Sequence, residues 1–129
     1  MTYQETLDFL YLQLPMFSRI GSAAYKKDLT NTIALCEYFQ NPQNKFKSIH
    51  IGGTNGKGST TNYLASMFVE AGMKVGIYTP PHLIDFRERI KIGNQMISEE
   101  FVVDFVEKAK PLIEKIQPSF FELTVVMAF

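Results

Sequence analysis

From Gly53 to Thr60 the chain reads Gly-Thr-Asn-Gly-Lys-Gly-Ser-Thr, directly after the apolar run Phe46 to Ile51 and directly before an amphipathic stretch. That order predicts a strand, a phosphate-cradling loop and a helix. Glycines here permit φ > 0 turns and a close approach, so that successive N–H groups converge on an anion. A helix opening near Ser59 adds its partial positive end. Lys57 supplies a point charge for the outer phosphates, and the hydroxyl of Ser59 or Thr60 can reach a phosphate oxygen or Mg²⁺. The strict pattern G-x-x-x-x-G-K-[ST] is not met. Ile51 stands five residues before Gly56, and Gly58 separates Lys57 from Ser59. A Gly-rich turn alone would explain the glycines but not the lysine and hydroxyls at the helix end.

The 129 residues are one domain's worth, and 46% hydrophobic content can build a core without disulfide or metal staples. Thirteen basic residues balance thirteen acidic ones, so no overall field favours nucleic acid or an anionic membrane, and small-molecule partners are expected. Cys36 is the single cysteine. It is expected to be a small buried apolar residue rather than a nucleophile. With no signal peptide and no spanning apolar run, the expected compartment is the cytoplasm.

Around the loop, periodicity predicts a helix from Thr2 to Leu14 with a Thr2/Glu5 capping box, ended by Pro15 and followed by a loop containing Gly21. A second helix is expected over Asp28 to Phe39, with Leu29, Ile33 and Cys36 on one side. The helix after the phosphate loop should turn Leu64, Met67, Phe68 and Ala71 inward and end at Gly72. Met73 to Tyr78 then reads as a strand, and the βαβ order implies parallel pairing with a ligand at the strands' carboxyl ends. A hairpin is expected from Arg87 to Ile97, turning at Gly93-Asn94 and placing Arg87 and Arg89 on one strand face. That pair could contact an anionic substrate or form an ordinary charged face. His50 reads as a hydrogen-bonded core histidine. Ser98 caps a long helix with Phe101, Phe105, Ala109, Leu112 and Ile116 buried and a kink at Pro111. The stretch Phe120 to Phe129 cannot be classified by periodicity alone.

The segments Ser48 to Thr60, Tyr78-Thr-Pro-Pro-His-Leu83, Phe86-Arg-Glu-Arg-Ile90 and Pro118-Ser-Phe-Phe-Glu122 together resemble the folylpolyglutamate synthase/dihydrofolate synthase family of the Mur ligase superfamily. The resemblance implies an α/β fold: a three-layer, P-loop-type parallel sheet with flanking helices, here a truncated Mur-ligase central domain. Residues 1–129 would be the N-terminal part of the ATP-binding domain. The remainder of that domain and a C-terminal domain would lie elsewhere, so the fragment itself should lack turnover and could self-associate.

The implied activity is an ATP-dependent ligation of L-glutamate to a dihydropteroate or folate carboxylate through an acyl phosphate, with ATP and Mg²⁺ required. Gly53, Thr54, Asn55, Gly56, Lys57, Gly58, Ser59 and Thr60 would bind ATP, with Lys57 acting in phosphoryl transfer. Ser59 and Glu122 would ligate Mg²⁺, and His82, Arg87 and Arg89 would meet the folate-type substrate. The match also makes Phe120 to Phe129 the start of a helix. Without it, Glu122 is a surface glutamate favoured by a helix N-terminus, and His82 a solvated loop residue. At position 80, where the family carries a metal-ligating serine, this chain has Pro80. Other Mur-type amide ligases, or a non-catalytic nucleotide-binding module, are the competing readings.

Overall fold

The computed structural model describes residues 1–14, 21 and 28–129. Pro15 and most of the expected loop around Gly21 lie outside the described residues. Two compact units emerge, one made of 1–46 with 99–127 and Phe129, the other of 47–98 with Ala128.

In the first unit the helices are α1 (Tyr3–Gln13), α2 (Thr30–Tyr38), α4 (Glu99–Ile116) and α5 (Phe120–Ala128). The second contributes α3 (Lys57–Glu70) and the strands β1 (Gly76–Tyr78), β2 (Ile90–Ile92) and β3 (Gln95–Met96).

The expected capping box opens α1: the Glu5 amide donates to Thr2 Oγ1 at 3.2 Å, and the Thr2 amide donates to Glu5 Oε2 at 2.7 Å. Both bonds satisfy N–H groups that a helix start leaves orphaned. The Thr2 amide, donating to the carboxylate, also holds the Glu5 carboxyl below its ordinary range. α4 is the spine against which α1 and α2 pack. Its buried stripe is Val102, Phe105, Val106, Ala109 and Ile113, at helical spacing. Phe105 and Ala109 match expectation, whereas Phe101 is 44% exposed. With α1 and α2 both packed against α4, burial follows Val102 and Val106 rather than Phe101. Phe39 stacks on Phe105 with centroids 4.6 Å apart, and Tyr38 Oη donates to the Lys108 carbonyl at 3.0 Å. Pro111 sits on an exposed position within an uninterrupted helix, where its missing N–H leaves only one carbonyl to solvent.

On α2 the buried pair is Leu35 and Cys36, while Leu29 and Ile33 are 66% and 53% exposed, contrary to the expected face. Burial pushes the Cys36 thiol pKa up, in keeping with a structural rather than nucleophilic cysteine.

The second unit departs furthest from expectation. Residues 46–51 form no strand among the described residues, and Phe46 to His50 are exposed, His50 included. The sheet that does form is antiparallel. β1 pairs with β2 through Gly76↔Ile92, Ile77↔Lys91 and Tyr78↔Ile90, and β2 pairs with β3 through Lys91↔Met96 and Ile92↔Gln95. A strand exists through its ladder partners, and the nearest in sequence is the hairpin turning at Gly93-Asn94. Pairing with it requires the closure of a short loop only. Among the described residues no parallel sheet lies beneath α3, and of its expected inward residues Met67 and Ala71 are exposed while Leu64 and Phe68 are half-buried; Ala65 is the one that is buried. The end of α3 is as expected. Gly72 takes φ +83°, with Met73 N–H donating to Phe68 O at 3.0 Å and Gly72 N–H to Val69 O at 2.9 Å. These two bonds close a Schellman motif.

Candidate active site

The phosphate-loop residues Gly52 to Thr60 are all exposed. Gly56 takes a left-handed φ of +76° as N-cap, and α3 begins at Lys57, two residues before the expected start. A side chain at Gly56 would be strained by this backbone. Gly58 is different: it lies inside the first turn of α3 with an ordinary φ, and a Cβ there would meet no protein atom within 4 Å. Glycine in a helix costs about 1 kcal/mol relative to alanine. Neither strain nor crowding calls for it here, but open space over a helix N-terminus is what a close-lying anion needs.

Lys57 Nζ donates to the Gly53 carbonyl, folding the ammonium back over the loop. Thr60 N–H donates to Gly56 O at 2.9 Å, and the hydroxyl of Thr61 to Lys57 O at 2.7 Å. Thr54 and Asn55 lie between the two positive-φ glycines Gly53 and Gly56, and Ser59 sits in the first turn of α3.

The expected strand face carrying Arg87 and Arg89 is absent. Residues Phe86–Arg89 form a 3-10 turn instead, and β2 begins only at Ile90. Its cause is a capping box, Asp85-x-x-Glu88. The Arg87 amide donates to Asp85 Oδ1 at 2.8 Å, and the Asp85 amide to Glu88 Oε1 at 2.9 Å. Arg87 also returns its guanidinium to Asp85, through Nε to Oδ1 at 3.1 Å and Nη2 to Oδ2 at 2.8 Å. Arg89 turns to His82, its Nε donating to His82 Nδ1 at 2.7 Å. The two arginines therefore engage different partners.

Glu88 gathers the amides of Leu83 at 3.0 Å and Ile84 at 3.2 Å as well as that of Asp85. Those bonds, Leu83 and Asp85 foremost, hold its carboxyl below the ordinary glutamate range. Glu88 and Asp85 are the organising residues that the sequence reading passed over. The D-x-x-E spacing was the signal that could have found them. His82 packs edge-on to Phe86, with centroids 6.3 Å apart. Partial burial, and then the charge of Arg89, lowers its pKa below the usual histidine value. The Pro80-Pro81 bond preceding it is cis.

Glu122, in the first unit, is 6% exposed rather than a surface residue. Its Oε2 accepts the Ser119 amide at 2.8 Å and Asn31 Nδ2 at 3.3 Å, while its own amide donates to Ser119 Oγ at 3.2 Å. This capping box opens the helix expected over Phe120 to Phe129. Oε1 takes neither bond. Among the described residues no three His, Cys, Asp or Glu side chains gather as a metal centre. A Mg²⁺ ion held with bound phosphates needs only one or two protein oxygens and water, and an exposed hydroxyl or a carboxylate oxygen is the kind of donor it takes.

Comparison with known proteins gives the family to which these segments belong. No family model matches the chain. It is 40% identical over 94 residues to dihydrofolate synthase/folylpolyglutamate synthase of Bacillus subtilis, covering 68% of this chain and 22% of that protein. Folylpolyglutamate synthase of Lacticaseibacillus casei is 32% identical over 117 residues, covering 91% of this chain and 26% of the relative. The crystal structure of folylpolyglutamate synthase from Thermotoga maritima superposes with a TM-score of 0.83 at 39% identity, over 98% of this chain and 29% of that one. An FPGS–AMPPCP–folate complex superposes equally well, at 0.83 and 30% identity, over 99% of this chain and 31% of its own. The chain belongs to the folylpolyglutamate synthase/dihydrofolate synthase family, and it spans less than a third of the length of these relatives.

Proposed function

We propose that this chain supplies the ATP-phosphate cradle and part of the acceptor-substrate surface of a ligase that joins L-glutamate to dihydropteroate, tetrahydrofolate or both. The observation that carries this reading is the open space over Gly58 at the start of α3, next to Lys57. The family's synthases, among them one complexed with AMPPCP and folate, support the substrate class.

A carboxylate is a poor electrophile. Phosphoryl transfer from ATP to its oxygen gives an acyl phosphate and ADP. Attack by the amine of glutamate then forms the amide and expels phosphate. Such chemistry needs charge neutralisation more than acid–base groups. In this assignment the amides of Gly53 to Gly58 hold phosphate oxygens, and the hydroxyl of Thr60 lends a further donor. Lys57 leaves the Gly53 carbonyl to balance charge on the transferring group. Ser59, through its hydroxyl, and Glu122, through Oε1, are the groups assigned to Mg²⁺, which when bound would neutralise phosphate charge. His82, Arg87 and Arg89 are assigned to the folate end, Arg87 with its charge largely answered by Asp85.

In the complete enzyme, residues 46–51 would join a three-layer, P-loop-type parallel sheet, with further strands from the rest of a family-length chain. The setting is cytoplasmic, as the substrates suggest. Among the described residues no helix is long and apolar enough to cross a membrane. The deciding experiment is ADP release by the complete gene product, with folate and glutamate each omitted in turn. ADP formation indifferent to both omissions would sink the ligase reading.

A further inference from the structure

Of the chain's six asparagines, Asn55 alone precedes a glycine. A peptide nitrogen attacks the side-chain carbonyl of the asparagine before it most readily when its own residue has no side chain to block the approach. Asn55 and Gly56 are both exposed, and a Cβ on Gly56 would meet no protein atom within 4 Å, so the approach is open. Among the described residues, the hydrogen bonds of the loop run to the carbonyls of Gly53, Gly56 and Lys57, and none engages the Asn55 side chain or the Gly56 N–H. The other asparagines differ. Asn31 and Asn62 lie within α2 and α3, where helical backbone holds the following nitrogen away from the side-chain carbonyl. Asn41 precedes a proline, and Asn44 and Asn94 precede Lys45 and Gln95.

We propose that Asn55 is a site of self-modification, converting to aspartate and isoaspartate through a cyclic imide, and that nucleotide in the phosphate loop holds this reaction back. The Gly56 nitrogen bonds to Asn55 Cγ, the Cγ–Nδ2 bond breaks, and Nδ2 leaves as ammonia with the proton that Gly56 gives up. Water then opens the imide. Addition at Cγ yields aspartate, and addition at the main-chain carbonyl carbon yields isoaspartate, whose backbone runs through the side chain. No oxidant or reductant is needed. Either product puts a carboxylate two residues before Lys57, in a loop assigned to phosphates. The coupling to nucleotide rests on the function proposed above: a Gly56 N–H that donates to a phosphate oxygen is not free to attack, so the empty loop is the labile one.

The first test keeps the chain of residues 1–129 in mildly alkaline buffer, folded or in urea, and then cleaves it with trypsin. Cuts after Lys47 and Lys57 leave Asn55 as the only asparagine of residues 48–57. Mass spectrometry should show the amide-to-acid gain in this peptide, with isoaspartate detected by enzymatic methylation, while Asn44 and Asn94 stay intact. Retention of Asn55 in the folded chain while the urea-unfolded chain converts, or while Asn44 or Asn94 does, would overturn the proposal.

In the complete synthase, AMPPCP with Mg²⁺ should suppress the conversion and adenosine should not. Asn55→Asp, which reproduces one product, should raise KM for ATP about tenfold or more, the order for one unit charge facing a polyanion. Conversion indifferent to AMPPCP in a synthase that releases ADP with folate and glutamate, or an unchanged KM for ATP in the variant, would overturn the link to nucleotide. Absence of that ADP release from the unmutated synthase would instead bring down the functional reading. The peptide map of the chain would still decide whether Asn55 modifies itself.

Discussion

Glu122 carries two assignments, a helix cap and a metal ligand, and a pair of substitutions separates them. Glu122→Ala removes the acceptor of the Ser119 amide, a bond of 2.8 Å in a residue only 5% exposed. Leaving a buried N–H unpaired costs about 1–3 kcal/mol. The bond from Asn31, 3.3 Å long on a half-buried side chain, adds little because water can replace it. Loss of the buried side-chain methylenes adds about 0.8 kcal/mol for each CH₂ removed. The expected total is about 2–4 kcal/mol, or roughly 1–2 M in urea midpoint for a slope near 2 kcal/mol per M. Glu122→Gln keeps an amide oxygen where Oε2 sits, so both bonds survive. It loses only a negative charge at the start of α5, worth about 0.3–1 kcal/mol.

Urea titration of the chain followed by circular dichroism reads both values. In the complete synthase the two variants should agree with each other instead: both lack the carboxylate, so both should lose Mg²⁺-dependent ADP release. If glutamine destabilises as much as alanine, the capping argument is wrong. If the glutamine variant retains normal magnesium dependence, Glu122 is not a metal ligand.

Three further outcomes follow. Lys57→Ala should lower turnover of the complete enzyme about 10²-fold or more, the order for losing one transition-state donor. Its stability should hardly change, because the side chain is exposed; ADP-release assays and thermal melts check the two halves. The Glu88 carboxyl has a folded pKa below its unfolded value, so its contribution is present above the unfolded pKa and is lost as pH falls through the folded one. Amide exchange at Leu83, Ile84 and Asp85 should therefore accelerate on acidification through the folded value, relative to amides elsewhere in the chain, and Glu88→Gln should abolish that dependence. Phe121 and Phe129, at opposite ends of the apolar helix α5, are 59% and 42% exposed, so the chain should self-associate and Phe121→Ser should weaken this. Light scattering showing a monomer at high concentration in both proteins would contradict it.

Local chemistry was legible in the sequence. The capping box of Thr2/Glu5 depends on bonds between residues three apart, and the Schellman end at Gly72 on bonds three and five apart. Neither needs a distant partner. The turn into α3 was legible for the same reason: left-handed φ at Gly56 and a helix that opens within two residues of Ser59 are properties of a few consecutive residues.

What only the tertiary structure decided is whatever depends on which neighbour arrives. The run 46–51 has strand-like composition but no ladder partner among the described residues, and β1 found its partner in the following hairpin, which made the sheet antiparallel. Which side of α4 is buried was fixed by the helices packing around it, so the stripe centres on Val102 and Val106 rather than on Phe101. Alternation placed Arg87 and Arg89 side by side on a strand. The carboxylates of Asp85 and Glu88 instead drew the backbone into a 3-10 turn and sent one arginine to Asp85 and the other to His82. A hydrophobic period tells which residues prefer burial, but a charged side chain goes where its partner is, and that position exists only once the chain has folded.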